Sequence, residues 1–444
     1  MTGPDRPPPP HRATTAHLQA LYPWVTAAGL GRRGTYLGRD LHGGGAFCFD
    51  PWELYAAGIL TSPNLLVVGQ IGRGKSTFVK TFVWRQLALG RRAWIVDPKG
   101  EYGPLAVAGG SSPVRIVPGG GVRLNPLDDA SAPTPDPSAP AEARARAGAG
   151  DAPGSGRFRH RAELLCSILA AGLGRDLLPA ERTAVELAVR LAGARRAAPI
   201  LPDVVSCLLD PDPALAATVR TDVAGLAADG RNVALELRRL AEGDLAGMFD
   251  GPTSPNVDLA APVVVLDLSA LYDSPALGIL MTCATAWLQA AIRRRDGRKR
   301  LVVVDEAWAI LHDLATARWL QASFKLSRAF GVANLAVVHR LSDLQAAGAE
   351  GSPQRRLAEG LLADSETRVV FGQAPSEVPS ARQLLGLSAT EAELLSRLPR
   401  AVALWKVADR SFLIEHGLGA GELALVDTDQ AMRPEPRGPA GTGR

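Results

Sequence analysis

Asn64-Leu65-Leu66-Val67-Val68-Gly69-Gln70-Ile71-Gly72-Arg73-Gly74-Lys75-Ser76-Thr77 decides the fold class of this 444-residue chain. An apolar strand ends at Gly69, a glycine-rich turn follows, and a helix opens at Lys75. Glycine, four residues, then Gly-Lys-Ser between a strand and a helix is the pattern of a phosphate-binding loop. Its glycines let successive backbone N–H groups converge on a polyphosphate, and the helix N-terminus adds partial positive charge. Gly69, Gln70, Ile71, Gly72, Arg73, Gly74, Lys75, Ser76 and Thr77 are therefore the expected nucleotide contacts. Lys75 is expected on the β- and γ-phosphates and the Ser76 hydroxyl on Mg2+.

Working outward, the same apolar strand signal recurs. Ala93–Val96 ends at Asp97, and Pro262–Leu266, Leu301–Val304, Leu335–Val338 and Arg368–Phe371 read as further short strands. Continuous apolar strands alternating with helices imply a mostly parallel sheet with helices on both faces. Thr35–Gly38 with Ala46–Phe49, and Ala403–Val407 with Ser411–Glu415, read as short N- and C-terminal β-hairpins. From Arg157 to about Phe249 the spacing turns helical, with Pro179 and the Asp210–Pro213 run as breaks. The expected organisation is a tail (1–16), a first part of an α/β core (17–129), a flexible linker (130–156), an all-helical insert (157–250), the rest of the core (251–429) and a second tail (430–444).

Composition, 46% hydrophobic and 21% charged, excludes a disordered chain. Six lysines stand against 43 arginines, so arginine clusters are weak evidence for nucleic acid and any lysine draws attention. The basic run Arg293–Arg300 reads first as solvated charge favouring a helix C-terminus, and second as a DNA or partner contact. Four cysteines without metal spacing fit a reducing cytoplasm. The longest apolar helix, Ala276–Ile292, is too short and too polar for a membrane span. Membrane contact is thus expected only through partners, at the inner face of the cell membrane.

Leu301-Val302-Val303-Val304-Asp305-Glu306 delivers two carboxylates at the C-terminal end of a strand, where ligands bind in open α/β sheets. Asp305 is expected in the Mg2+ shell, and Glu306 as the base that orients and deprotonates a water for attack on the γ-phosphate. Asp97-Pro98-Lys99-Gly100-Glu101-Tyr102 follows the Ala93–Val96 strand. Asp97 and Glu101 are expected to face the γ-phosphate or a neighbouring subunit, the alternative being a capped turn.

The phosphate loop, Asp97–Tyr102, Arg123-Leu124-Asn125-Pro126-Leu127, Gly247-Met248-Phe249-Asp250-Gly251-Pro252-Thr253, Val265-Leu266-Asp267-Leu268-Ser269 and Val304-Asp305-Glu306-Ala307-Trp308 occur in one order. That order resembles the energising ATPases of conjugative type IV secretion systems (VirB/TraC type), within the HerA–FtsK class of RecA-like P-loop motors, over roughly 35–420. The resemblance implies an ATP- and Mg2+-dependent homo-hexamer acting with secretion-channel proteins, and an arginine supplied in trans, for which Arg328 and Arg368 are candidates. His339 stands where the family usually has a glutamine that senses the γ-phosphate, and its imidazole is expected to take over that hydrogen bond. The family's larger N-terminal domain has no counterpart here, which suggests that a separate polypeptide supplies it. A DNA-translocating or coupling ATPase and an ATP-gated scaffold with little turnover are the alternative readings.

Overall fold

The computed structural model describes residues 14–16, 29–128, 155–243, 245–272, 274, 277–292, 297–307, 314–342 and 351–426. The expected tails apart from residues 14–16, all of the expected linker but its last two residues, Trp308, and four residues of the basic run lie outside them.

One eleven-stranded sheet organises the chain: β1 (Thr35–Asp40), β2 (Ala46–Phe49), β3 (Leu65–Val68), β4 (Arg92–Asp97), β5 (Val114–Arg115), β6 (Val263–Asp267), β7 (Arg300–Val304), β8 (Val332–Val338), β9 (Thr367–Phe371), β10 (Val402–Val407) and β11 (Arg410–His416), in the order β2-β1-β11-β10-β9-β3-β8-β7-β4-β6-β5. From β9 to β5 every pairing is parallel. Strand β10 runs antiparallel to β9, and β1 antiparallel to β11. The two hairpins expected as separate terminal pieces are therefore one continuous extension of the core sheet. Gly38 permits the close approach of β1 to β11, since a Cβ there would lie 2.1 Å from the Glu415 carbonyl oxygen.

Strand side chains alternate between two cores. Leu66, Val68, Trp94 and Val96 face one; Leu65, Val67, Ala93 and Ile95 face the other. On the second face lies α1 (Lys75–Ala88), begun by Gly74 in the left-handed region and ending one residue before Leu89 and Gly90. Phe78 and Phe82 of α1 pack with Phe49 and Trp405 of the hairpins.

The first face carries the helical stretch, α2 (Ser155–Leu173), α3 (Pro179–Arg195), α4 (Leu201–Leu209), α5 (Pro213–Thr218) and α6 (Val223–Glu242), together with α7 (Leu277–Ile292) and α8 (Leu314–Phe330). Asp212 and Asp222 cap α5 and α6 by accepting backbone N–H bonds. Leu165, Leu169 and Leu240 from this stretch belong to the same apolar cluster as Val68 and Trp94, so the helices close the sheet's own core. Among the described residues no helix is long and apolar enough to cross a membrane.

Candidate nucleotide site

Parallel pairing brings four strand ends to one edge. Val68 of β3 is level with Val338 of β8, Ala336 of β8 with Val304 of β7, and Val304 with Val96 of β4. The glycine-rich loop, His339, the Asp305-Glu306 pair and the Asp97–Tyr102 turn therefore share the C-terminal edge of the sheet. His339 follows the strand that separates the loop's strand from the carboxylate strand.

Packing explains the loop's glycines. A Cβ on Gly69 would lie 2.5 Å from Phe371 Cβ, and Gly74 adopts φ +104°, reached at little cost only without a Cβ. The Gln70 N–H donates to the Gly372 carbonyl at 3.0 Å, and the Ala401 N–H to the Arg73 carbonyl at 3.0 Å. The loop thus leans on the ends of β9 and β10 on one side while Gln70 and Ile71 face solvent. Lys75 is buried, and its Nζ donates to the Gln70 carbonyl at 3.0 Å. Burial lowers its pKa to about 8: the cation lacks enough negative charge around it, which phosphates would supply.

The two carboxylates point to different neighbours. Asp305 Oδ2 accepts from the Tyr102 hydroxyl at 3.0 Å, and Oδ1 from the Glu306 N–H at 2.9 Å. Burial, then the charge of Glu306, pushes the Asp305 pKa up. A buried carboxylate in this condition, whose charge reaches Lys75 at the start of α1, fits Mg2+. That ion takes hard oxygen ligands, keeps several waters and binds substrate phosphates. Ser76 and Asp305 are the residues that would hold it. Glu306 has φ +52°, a left-handed turn that costs a non-glycine residue about 1–2 kcal/mol. The Ala307 N–H then bonds back to the Val337 carbonyl at 3.0 Å. The turn sends the Glu306 side chain towards β8, where Oε1 meets His339 Nε2 at 2.6 Å and forms an ion pair with Lys99. Burial would raise the Glu306 pKa, but the hydrogen bonds from His339 and Lys99 outweigh it and hold the group down at about 2.

Asp97 corrects the expectation of a phosphate contact. It is fully buried, with Oδ1 accepting from the Lys99 and Gly100 N–H groups and Oδ2 from that of Tyr102. It is the anchor of its turn, and burial raises its pKa to about 6. Glu101 turns to Lys80 at 3.6 Å. Arg368 is also committed: its guanidinium donates to the carbonyls of Leu362, Ser365 and Leu385 of its own chain. Arg328 is exposed in the last turn of α8. Sequence reading missed Tyr102 as the hydroxyl on Asp305 and the Ala401 brace beneath the loop. It flagged Lys99 only for the rarity of lysine.

Together these features define a P-loop NTPase fold of the RecA-like kind. Residues 59–129 match the family model for the central domain of helicase HerA. VirB4 of Thermoanaerobacter pseudethanolicus shares the fold with a TM-score of 0.67 at 20% identity, over 89% of this chain and 100% of that one. The bacterial conjugative coupling protein TrwBdeltaN70 matches over 81% of this chain and 87% of its own, at 14% identity and a TM-score of 0.50. The plasmid coupling protein TrwB in complex with ADP and Mg2+ matches over 80% and 86%, at 14% identity and a TM-score of 0.50. No curated protein sequence matches the chain.

Proposed function

We propose that this chain is an Mg2+-dependent ATPase that powers a conjugative or type IV secretion apparatus. The observation that carries the reading is the convergence of Lys75, Asp305, Glu306 and His339 on one sheet edge in a fold shared with VirB4. In this reading the loop N–H groups and Lys75 hold the phosphates, and Ser76 and Asp305 hold the metal. Glu306 takes a proton from a water as its oxygen bonds to the γ-phosphorus; the bond to the β-phosphate oxygen breaks, leaving ADP and phosphate.

The working assembly in this proposal is a ring of six copies, docked at the inner face of the cell membrane through secretion-channel proteins. Arg328, exposed, is the better candidate for action on a neighbour's nucleotide, because Arg368 already serves three carbonyls. DNA-stimulated turnover with strong salt dependence would point instead to a coupling or DNA-pumping role.

Nucleotide affinity and turnover test the reading. Lys75→Ala should lose ATP binding, while Glu306→Gln should bind ATP and stall hydrolysis. Wild-type turnover in Glu306→Gln would remove Glu306 as the base. Binding without single-turnover hydrolysis in the wild type would leave the gated scaffold.

A further inference from the structure

Lys99 sits on the residue proposed as the base. Its ammonium pairs with Glu306 Oε1, the oxygen that also meets His339 Nε2, and lies 3.2 Å from that nitrogen. A carboxylate oxygen engaged by two such groups has little lone-pair capacity left to accept a water proton, and its charge is largely neutralised. With Oε1 occupied and the charge of the group countered, the carboxylate as it stands is a weakened base.

The backbone beneath Lys99 is pinned, whereas its side chain is a long unbranched stem with four rotatable bonds. Asp97 fixes the turn through three N–H bonds, and Gly100 holds φ +71°. The side chain above it is a four-carbon stem, 27% exposed as a whole. Lys75 lies close enough to feel its charge. Two cations thus flank the space where the loop would present a terminal phosphate, one from the loop and one from the turn after β4. A γ-phosphate carries more negative charge than a single carboxylate and competes well for a mobile lysine.

We infer that Lys99 is a γ-phosphate ligand held in reserve on Glu306: when a nucleoside triphosphate binds, its ammonium moves from the carboxylate to the γ-phosphate and frees Glu306 to take the water. A diphosphate offers no such partner, so the pair stays closed and the base stays blocked after release of phosphate. The inference rests on the ATPase reading above.

Affinities for a non-hydrolysable ATP analogue and for ADP, measured with Mg2+ by displacement of a fluorescent nucleotide, test it apart from turnover. Lys99→Met should weaken the triphosphate by about tenfold or more, the worth of one hydrogen bond to a charged group, and leave ADP nearly unchanged. Glu306→Gln should tighten the triphosphate by releasing Lys99, and adding Lys99→Met should erase that gain, a coupling the double-mutant cycle isolates. Lys99→Arg should recover most of the discrimination. Should Lys99→Met not fold, Lys99→Gln is judged by the same ratio. An unchanged ratio of the two affinities, equal loss of both, or wild-type or faster turnover in Lys99→Met overturns the inference. A wild type that never hydrolyses ATP defeats the ATPase reading, yet the affinity ratio still judges Lys99. Hydrolysis with an unchanged ratio defeats Lys99 alone.

Discussion

Adding one methyl group at Gly69 tests whether the loop is positioned by the sheet beneath it. An alanine Cβ would sit 2.5 Å from Phe371 Cβ and 3.3 Å from Phe371 Cα, against an optimum of about 3.5–4.0 Å. Phe371 cannot swing aside, because the contact is with its Cβ, which moves only with the backbone. Strands β3 and β9, in register at Val68 and Val370, must therefore part by about 1 Å. That shift breaks the bond from the Gln70 N–H to the Gly372 carbonyl, worth about 0.5–1.5 kcal/mol. Overpacking adds about 1–3 kcal/mol, for a total of about 1.5–4.5 kcal/mol. The loop moves with the strand, and a misplacement of that size can cost about 10²-fold in function. Urea unfolding of Gly69→Ala should show a lower midpoint at unchanged slope, with ATP affinity reduced by at least about tenfold. Gly74→Ala, whose φ is +104°, should lose affinity through about 1–3 kcal/mol of backbone strain. A Gly69→Ala protein with wild-type midpoint and affinity would refute the packing argument.

Tyr102→Phe removes the hydroxyl from Asp305 Oδ2 and should cost about 1–3 kcal/mol of stability while raising the Asp305 pKa further, readable by carboxylate infrared titration; no change in either quantity would remove Tyr102 from the site. Arg368→Ala should lower the unfolding midpoint because three carbonyls lose their donor, whereas Arg328→Ala should cut turnover by about 10³-fold with stability and ATP affinity intact; the reverse pattern would exchange their roles. His416 is half-buried and packs against Phe78 and Trp405, and desolvation, then the charge of Arg85, lowers its pKa to about 3. The unfolded chain therefore takes up the proton first, so this group's contribution is complete above pH 6.5 and is lost as pH falls towards 3, at about 1.4 kcal/mol per pH unit. His416→Gln should flatten the stability profile between pH 6.5 and 4, and an unchanged slope would show that other groups cause it.

Local chemistry wrote the loop and the carboxylate strand legibly into the sequence. The glycine spacing of 69–76 and the Val304-Asp305-Glu306 strand end depend on backbone conformation and apolar periodicity, which neighbouring residues alone decide. The parallel core strands β3, β4, β6, β7, β8 and β9 and helix α1 followed within one to three residues at their ends, because continuous apolar runs bounded by glycine or charge leave little choice. His339 was legible as the residue that follows the Leu335–Val338 strand, in the place where the resemblance puts a glutamine, but its contact with Glu306 was not.

Pairing across long separations was not legible. Nothing local announces that Gly38 must accept the Glu415 backbone, or that the two hairpins join one sheet more than 370 residues apart. Nor does spacing reveal that Asp97 turns inward to its own N–H groups while Lys99 crosses to Glu306, since both depend on which strand ends become neighbours. Arg368 reads as a free cation in the sequence and becomes a hub for carbonyls only when the ends of two helices converge on it. A sequence records what each residue can donate or accept; tertiary packing decides which partner is nearest when water is excluded, and that choice assigned every charge in this site.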